Sequence, residues 1–179
     1  GQGCVTENAE AVVDHLRETR GMKIGVLNMT MFRPFPSDLI TKVLRGKKGV
    51  VVLERLDQPL SVEAPLLREI RGAMAMGVEK GRDGNNAAHA GLTALVSQEV
   101  PDFYSGCFGM GSRDLQPKHI IAAVDNMIDG GAKLRQFYLG IDFVRKNTRM
   151  PKLQIWQEEL LEGYPHLVDL AIDPGEVVD

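Results

Sequence analysis

Few of the 179 residues have the type and spacing to do chemistry, and the most suggestive stand at the amino end. Gly1-Gln2-Gly3-Cys4 is a glycine-rich turn that runs at once into a helical pattern. Free N–H groups and a helix dipole at such a turn can cradle a phosphate. A dinucleotide site also needs a third glycine and an acid ~20 residues on, so a tight strand-to-helix turn explains these residues better. Asp83-Gly84-Asn85-Asn86 has the residue types of a magnesium and diphosphate motif. There the aspartate and asparagine must reach one cation from separated positions, and here they are adjacent, which leaves a loop tip. His15, His89, His119 and His166 are scattered, with no pair at ligand spacing on one helix, and are expected at the surface or as caps. Cys4 and Cys107 form no C-x-x-C pair and are expected to be buried reduced thiols; a cluster of iron and sulfur needs about four. Neither a G-x-S-x-G elbow nor a P-loop is present. Arg45, Lys47 and Lys48 surround a turn and read as a solvated edge, while Trp156 suits either an anchor to a partner or self-packing. No catalytic, cofactor-binding or metal-ligating residue is assigned to this chain.

Composition agrees with a folded domain. Hydrophobic residues make up 44% and charged residues 25%, with a formal net charge of −3. That balance gives no general pull toward nucleic acid or an anionic membrane. No apolar run approaches the ~20 residues of a membrane span, and the first residues lack the basic start of a signal peptide. A cytoplasmic location is expected.

The elements that would carry these residues alternate. Ala9, Val12, Val13 and Leu16 mark a helix that Gly21 stops, and Lys23 to Met29 suits a buried strand ended by Pro34 and Pro36. Ser37 is the expected N-cap of a second helix with Leu39, Ile40, Val43 and Leu44 as its stripe. Gly49 to Leu53 is the clearest strand, with no alternation, and so is expected to be covered on both faces. A helix follows from about Ala64 to Met76. Gly77 to Gln98 reads as an insertion with a flexible tip and a short helix around Leu92 to Val96. Further elements are a strand at Asp102 to Phe108, a helix from Pro117 to Ile128, and a strand at Leu134 to Ile141. This order predicts an α/β three-layer sandwich, a mostly parallel sheet with helices on both faces. The opening turn has no strand before it, so the first strand is expected to be missing or to lie in a neighbouring segment. Residues 1–142 form the predicted domain. Residues 143–179 read as an extended acidic arm or linker, without Lys or Arg from Gln154 on and with one short helix around Ile155, Leu160 and Leu161.

Three stretches, in order, resemble one family. They are Lys23-Ile24-Gly25-Val26-Leu27-Asn28-Met29-Thr30-Met31-Phe32-Arg33-Pro34-Phe35-Pro36, then Val50-Val51-Val52-Leu53-Glu54-Arg55, then Cys107-Phe108-Gly109-Met110-Gly111-Ser112-Arg113-Asp114-Leu115-Gln116-Pro117. Together they resemble the transketolase C-terminal-like domain, domain II, of pyruvate:ferredoxin oxidoreductases and related 2-oxoacid:acceptor oxidoreductases. Cys107 stands where that family usually has arginine, and Glu54 where aspartate is common.

The resemblance implies a transketolase C-terminal-like fold and a non-catalytic structural role within a larger enzyme. The parent enzyme is implied to use thiamine diphosphate, magnesium, 4Fe-4S clusters and coenzyme A, all held outside this chain, to oxidise a 2-oxoacid to acyl-CoA. Partners implied are the other domains or subunits of the same oxidoreductase, with ferredoxin or flavodoxin reached through the parent, in an oligomer. Candidate contacts to a neighbouring domain are Arg33, Phe35, Gly109, Gly111, Ser112 and Arg113, because loops at strand ends carry function in open α/β sheets. Competing readings are a free-standing assembly module, or the C-terminal domain of a transketolase or 2-oxoacid dehydrogenase.

Overall fold

The computed structural model describes residues 1–58, 60–83, 89–140 and 151–166. Its helices are α1 (Val5–Arg20), α2 (Ser37–Leu44), α3 (Pro65–Asp83), α4 (Pro117–Met127) and α5 (Pro151–Gly163). Its strands are β1 (Gly49–Glu54), β2 (Asp102–Cys107) and β3 (Gln136–Tyr138), paired in parallel in that order. The β1 and β2 ladder runs from Gly49 opposite Asp102 to Glu54 opposite Cys107.

Two cores flank this sheet, which makes the three layers. One gathers Val12 and Leu16 of α1, Ile120 and Val124 of α4, and Leu53, Tyr104 and Phe137 of the strands. The other gathers Ile40 and Leu44 of α2, Leu67, Ile70 and Met74 of α3, and Val52 and Phe103. Along β1, Val51 and Leu53 face the first core while Val50 and Val52 face the second, as a strand with period 2 must place them. The unbroken valine run of β1 therefore reflects cover on both faces, as expected.

Local signals explain most helix ends. Gly21 is left-handed at φ 62°, and the Gly21 N–H donates to the Arg17 carbonyl at 3.1 Å and Met22 N–H to Leu16 at 3.4 Å, a closure that glycine permits at no steric cost. Pro117 opens α4 as expected. His119 is buried and caps α4: its Nδ1 accepts from the Gln116 amide at 3.1 Å.

Several expectations change. Lys23 to Met29 is no ladder strand; its side chains alternate between the cores, and its backbone bonds Gly1 through Leu27 and Met29 and the Arg17 side chain through the Ile24 carbonyl. Ser37 opens α2 without capping it, because Pro36 takes the cap position and the Ser37 carbonyl instead receives the Thr41 hydroxyl at 2.9 Å. Helix α3 runs past Met76 to Asp83, through two glycines that sequence propensity would treat as a stop. A Cβ on Gly77 would lie 2.9 Å from Leu95 Cδ1, and one on Gly81 would collide with the Leu95 carbonyl, so both glycines admit the returning chain. Leu92 to Val96 forms no helix; a 3₁₀ turn follows at Ser97–Glu99, and residues 84–88 of the anticipated tip lie outside the described residues. Strand β3 is only three residues long, and Ile141 of its expected span is not among those described. Cys4 is exposed rather than buried, Cys107 is half-buried, and both thiols are free.

Candidate functional site

In a parallel sheet all the loops at one end follow the carboxyl ends of the strands, and open α/β folds place their sites there. Here that end carries Arg55 to Asp57 after β1, Phe108 to Gln116 after β2, and Leu139 and Gly140 after β3. The amino end of α1 lies beside them, and with Arg55 and the turn after β2 it lines a cavity of about 320 Å³, whose walls include Cys4, Asn8, Phe108, Arg113 and Leu115.

The turn after β2 is a built object. Gly109 (φ 72°), Gly111 (φ 63°) and Ser112 (φ 58°) all sit in the left-handed region around the 3₁₀ turn Met110–Ser112. A Cβ on Gly109 would lie 2.8 Å from Arg55 Nε, so glycine is needed there for both space and dihedral. Ser112 tolerates the same region at some cost, which marks it as held by its surroundings.

Hydrogen bonds tie this rim across the sheet. Asn8 Nδ2 donates to the Leu115 carbonyl at 3.2 Å, fastening α1 to the turn. Arg113 donates to the Gly140 carbonyl at 3.1 Å, fastening the turn to β3. Tyr138 donates to Asp57 Oδ2 at 2.9 Å, fastening β3 to the loop after β1. Glu54 accepts the Leu66 amide at 2.8 Å and the Leu67 amide at 3.3 Å, so the last residue of β1 caps α3. A carboxylate at a helix amino end is favoured by the dipole as well as by the bonds.

These acids set the local titrations. Burial pushes the Cys107 thiol up to about 11, with the negative charges of Asp57 and Glu54 adding to it. Burial likewise raises the Tyr138 phenol to about 12, reinforced by its bond to Asp57. A thiol held protonated is a poor nucleophile, so Cys107 acts here as a small packing residue.

The six residues expected at a neighbour-facing surface fall into two groups. Gly109, Gly111, Ser112 and Arg113 lie together on the rim just described. Arg33 and Phe35 lie over the second core: Arg33 pairs with Glu69 of α3 at 2.8 Å and stacks on Phe32 at 4.3 Å, while Phe35 meets Phe32 edge-on at 6.3 Å. Both groups follow the carboxyl end of an extended segment. The residues not foreseen are Glu54, Asp57, Tyr138 and Asn8, whose partners are remote in sequence. One signal did exist: Pro65 opens α3 after Ala64, with no capping side chain of its own, so a cap had to come from elsewhere.

Among the described residues no three His, Cys, Asp or Glu side chains gather to hold a cation. The two cysteines sit on different elements, Cys4 before α1 and Cys107 at the end of β2, and cannot supply the four thiolates of a 4Fe-4S cluster.

Comparison with known proteins places this arrangement. Residues 1–89 match the family model described as pyruvate:ferredoxin oxidoreductase core domain II. Over 140 residues the chain is 34% identical to pyruvate synthase subunit PorA of Thermotoga maritima, covering 78% of this chain and 30% of that one. The chain belongs to this family of 2-oxoacid:acceptor oxidoreductases, as its core domain II. Pyruvate:ferredoxin oxidoreductase of Moorella thermoacetica is 29% identical over 142 residues, 79% of this chain and 10% of the relative. Ketoisovalerate oxidoreductase subunit VorA of Pyrococcus furiosus is 29% identical over 127 residues, 71% of this chain and 27% of the relative. Core domain II thus occurs both in separate subunits and in far longer chains, and this chain spans less than a third of each of these relatives.

Proposed function

We propose that this domain is a non-catalytic brace within an oxidoreductase that oxidatively decarboxylates a 2-oxoacid to acyl-CoA and passes the electrons to ferredoxin or flavodoxin. The observation that carries this reading is the rim at the carboxyl ends of the strands. It is cross-tied by Asn8, Arg113, Tyr138 and Glu54, and it is held in left-handed backbone by Gly109 and Gly111, which suits a rigid docking face. Chemistry in such enzymes belongs to cofactors, which the protein orients. On this reading thiamine diphosphate, magnesium, 4Fe-4S clusters and coenzyme A lie in other domains or subunits of an oligomeric, cytoplasmic parent. Residues 1–142 form the docked domain, with 143–179 as an arm leading to the next. The names of the Thermotoga and Pyrococcus relatives, one a pyruvate and one a ketoisovalerate enzyme, support a 2-oxoacid in general.

Arg33, Phe35, Gly109, Gly111, Ser112 and Arg113 are the proposed contacts with the neighbouring domain. Arg33→Ala and Arg113→Ala, each made in the intact enzyme, should lower assembly on size exclusion and reduce 2-oxoacid-dependent dye reduction several-fold. Unchanged assembly and turnover in both variants would reject the assignment. The wild-type chain should also copurify with brown, cluster-bearing protein, and a colourless complex would favour a free-standing assembly module instead.

A further inference from the structure

The alternation that covers both faces of β1 also decides where the side chains at its carboxyl end turn. Val51 and Leu53 face the core built with α1 and α4, and Val50 and Val52 face the other. By the same period Glu54 turns to α3, where its carboxylate accepts the Leu66 and Leu67 amides, and Arg55 turns to the α1 side. There Arg55 lines the cavity of about 320 Å³ at the rim. Its stem lies across Gly109: a Cβ on that glycine would stand 2.9 Å from Cγ, 3.1 Å from Cδ and 2.8 Å from Nε.

Packing, not a partner, holds this guanidinium, because among the described residues Arg55 makes no hydrogen bond and no ion pair. The acids nearest in sequence are committed elsewhere, Glu54 to α3 and Asp57 to the Tyr138 hydroxyl at 2.9 Å. Arg17, Arg20, Arg33, Arg45, Arg71 and Arg135, by contrast, each pair with a carboxylate. Arg113 brings a second guanidinium to the same cavity, positioned by its bond to the Gly140 carbonyl at 3.1 Å. Against these two cations the walls set a single carboxylate, Asp114. Val5, Phe108 and Leu115 make the rest of the wall apolar, and charges beside such a wall are screened less than at open surface. The volume stands at the lower end of small-molecule sites, which combine apolar walls with a few convergent polar groups.

We propose that this cavity is a binding site for a compact organic oxyanion, a carboxylate or a phosphate ester, held by Arg55 with Arg113 as the second charge. A planar guanidinium presents paired N–H donors that match either oxyanion. The apolar wall takes the carbon skeleton of the ligand. A bracing role needs no ligand, so this site goes beyond that role.

Phenylglyoxal, which modifies accessible guanidinium groups, tests this by peptide mapping of the intact protein. Arg82 is the internal reference, since it is exposed on α3 and likewise without a partner among the described residues. At ionic strength matched with chloride, ~20 mM inorganic phosphate or ~20 mM acetate should slow labelling of Arg55 at least ~5-fold relative to Arg82, as a millimolar site requires. Protection by phosphate alone assigns the site to phosphate esters, by acetate alone to carboxylates, and by both to either oxyanion. Protection by neither, or equal slowing at the two arginines, would overturn the proposal. An Arg55 that resists labelling without added anion while Arg82 reacts would also overturn it, because the cavity would then be closed by a neighbouring domain. That last result leaves the bracing role standing.

Discussion

At the scale of single residues, the carboxyl-end rim shows how neighbours decide chemistry that residue type leaves open. Cys107 occupies the end of a strand in a fold whose sites gather there, yet burial and the charges of Asp57 and Glu54 hold its thiol protonated up to about 11, against an ordinary 9.0. Iodoacetamide at pH 8 should label exposed Cys4 at least ~10-fold faster than Cys107, as peptide mapping would show. Comparable rates would mean the pocket around Cys107 is open. The same shift has a consequence for stability. Between about 9 and about 11 the unfolded chain gives up this proton while the folded one keeps it, so the contribution is whole below pH 9 and is lost as pH rises through 11. Tyr138 repeats that sign at higher pH, from 10.0 toward about 12.

Elements show a second kind of dependence. Helix α3 has no capping residue of its own and borrows Glu54 from the strand it follows, 12 residues before Leu66. The family's more common aspartate at this position has a shorter reach; glutamate spans the distance to two amides. Glu54→Gln keeps the shape but removes the charge and one acceptor, and should cost about 1 kcal/mol in urea denaturation. An unchanged midpoint would show that solvent already satisfies Leu66 and Leu67. The length of α3 is likewise a tertiary matter. Gly77 and Gly81 weaken a helix in isolation, and it continues because the chain at Leu95 packs into the space they leave, with the Leu95 amide donating to the Gly77 carbonyl at 3.0 Å.

For the whole molecule, one sheet is shared by both cores, so the two layers are expected to unfold as one cooperative unit. Leu16 and Leu67 are both fully buried, one on each side of β1. Leu16→Ala and Leu67→Ala should each destabilise by roughly 2–5 kcal/mol, and near- and far-ultraviolet circular dichroism should report a single transition in both variants. A melt in two steps, with only one step moved by each substitution, would show that the layers unfold separately.

Composition, periodicity and turn chemistry were enough to expect an alternating α/β order, a mostly parallel sheet and cover on both faces of β1, while the family entered only through the resemblance of three stretches, Lys23 to Pro36, Val50 to Arg55 and Cys107 to Pro117. These are properties of short windows, where apolar spacing and the needs of glycine and proline are written directly in the chain. The rim bonds of Asn8, Glu54, Asp57 and Tyr138, the passage of α3 through its glycines, and the exclusion of Lys23 to Met29 from the three-stranded ladder were decided only by tertiary structure. Each depends on which remote backbone or side chain arrives beside it, and a hydrogen bond spanning 81 residues, as between Tyr138 and Asp57, leaves no local trace.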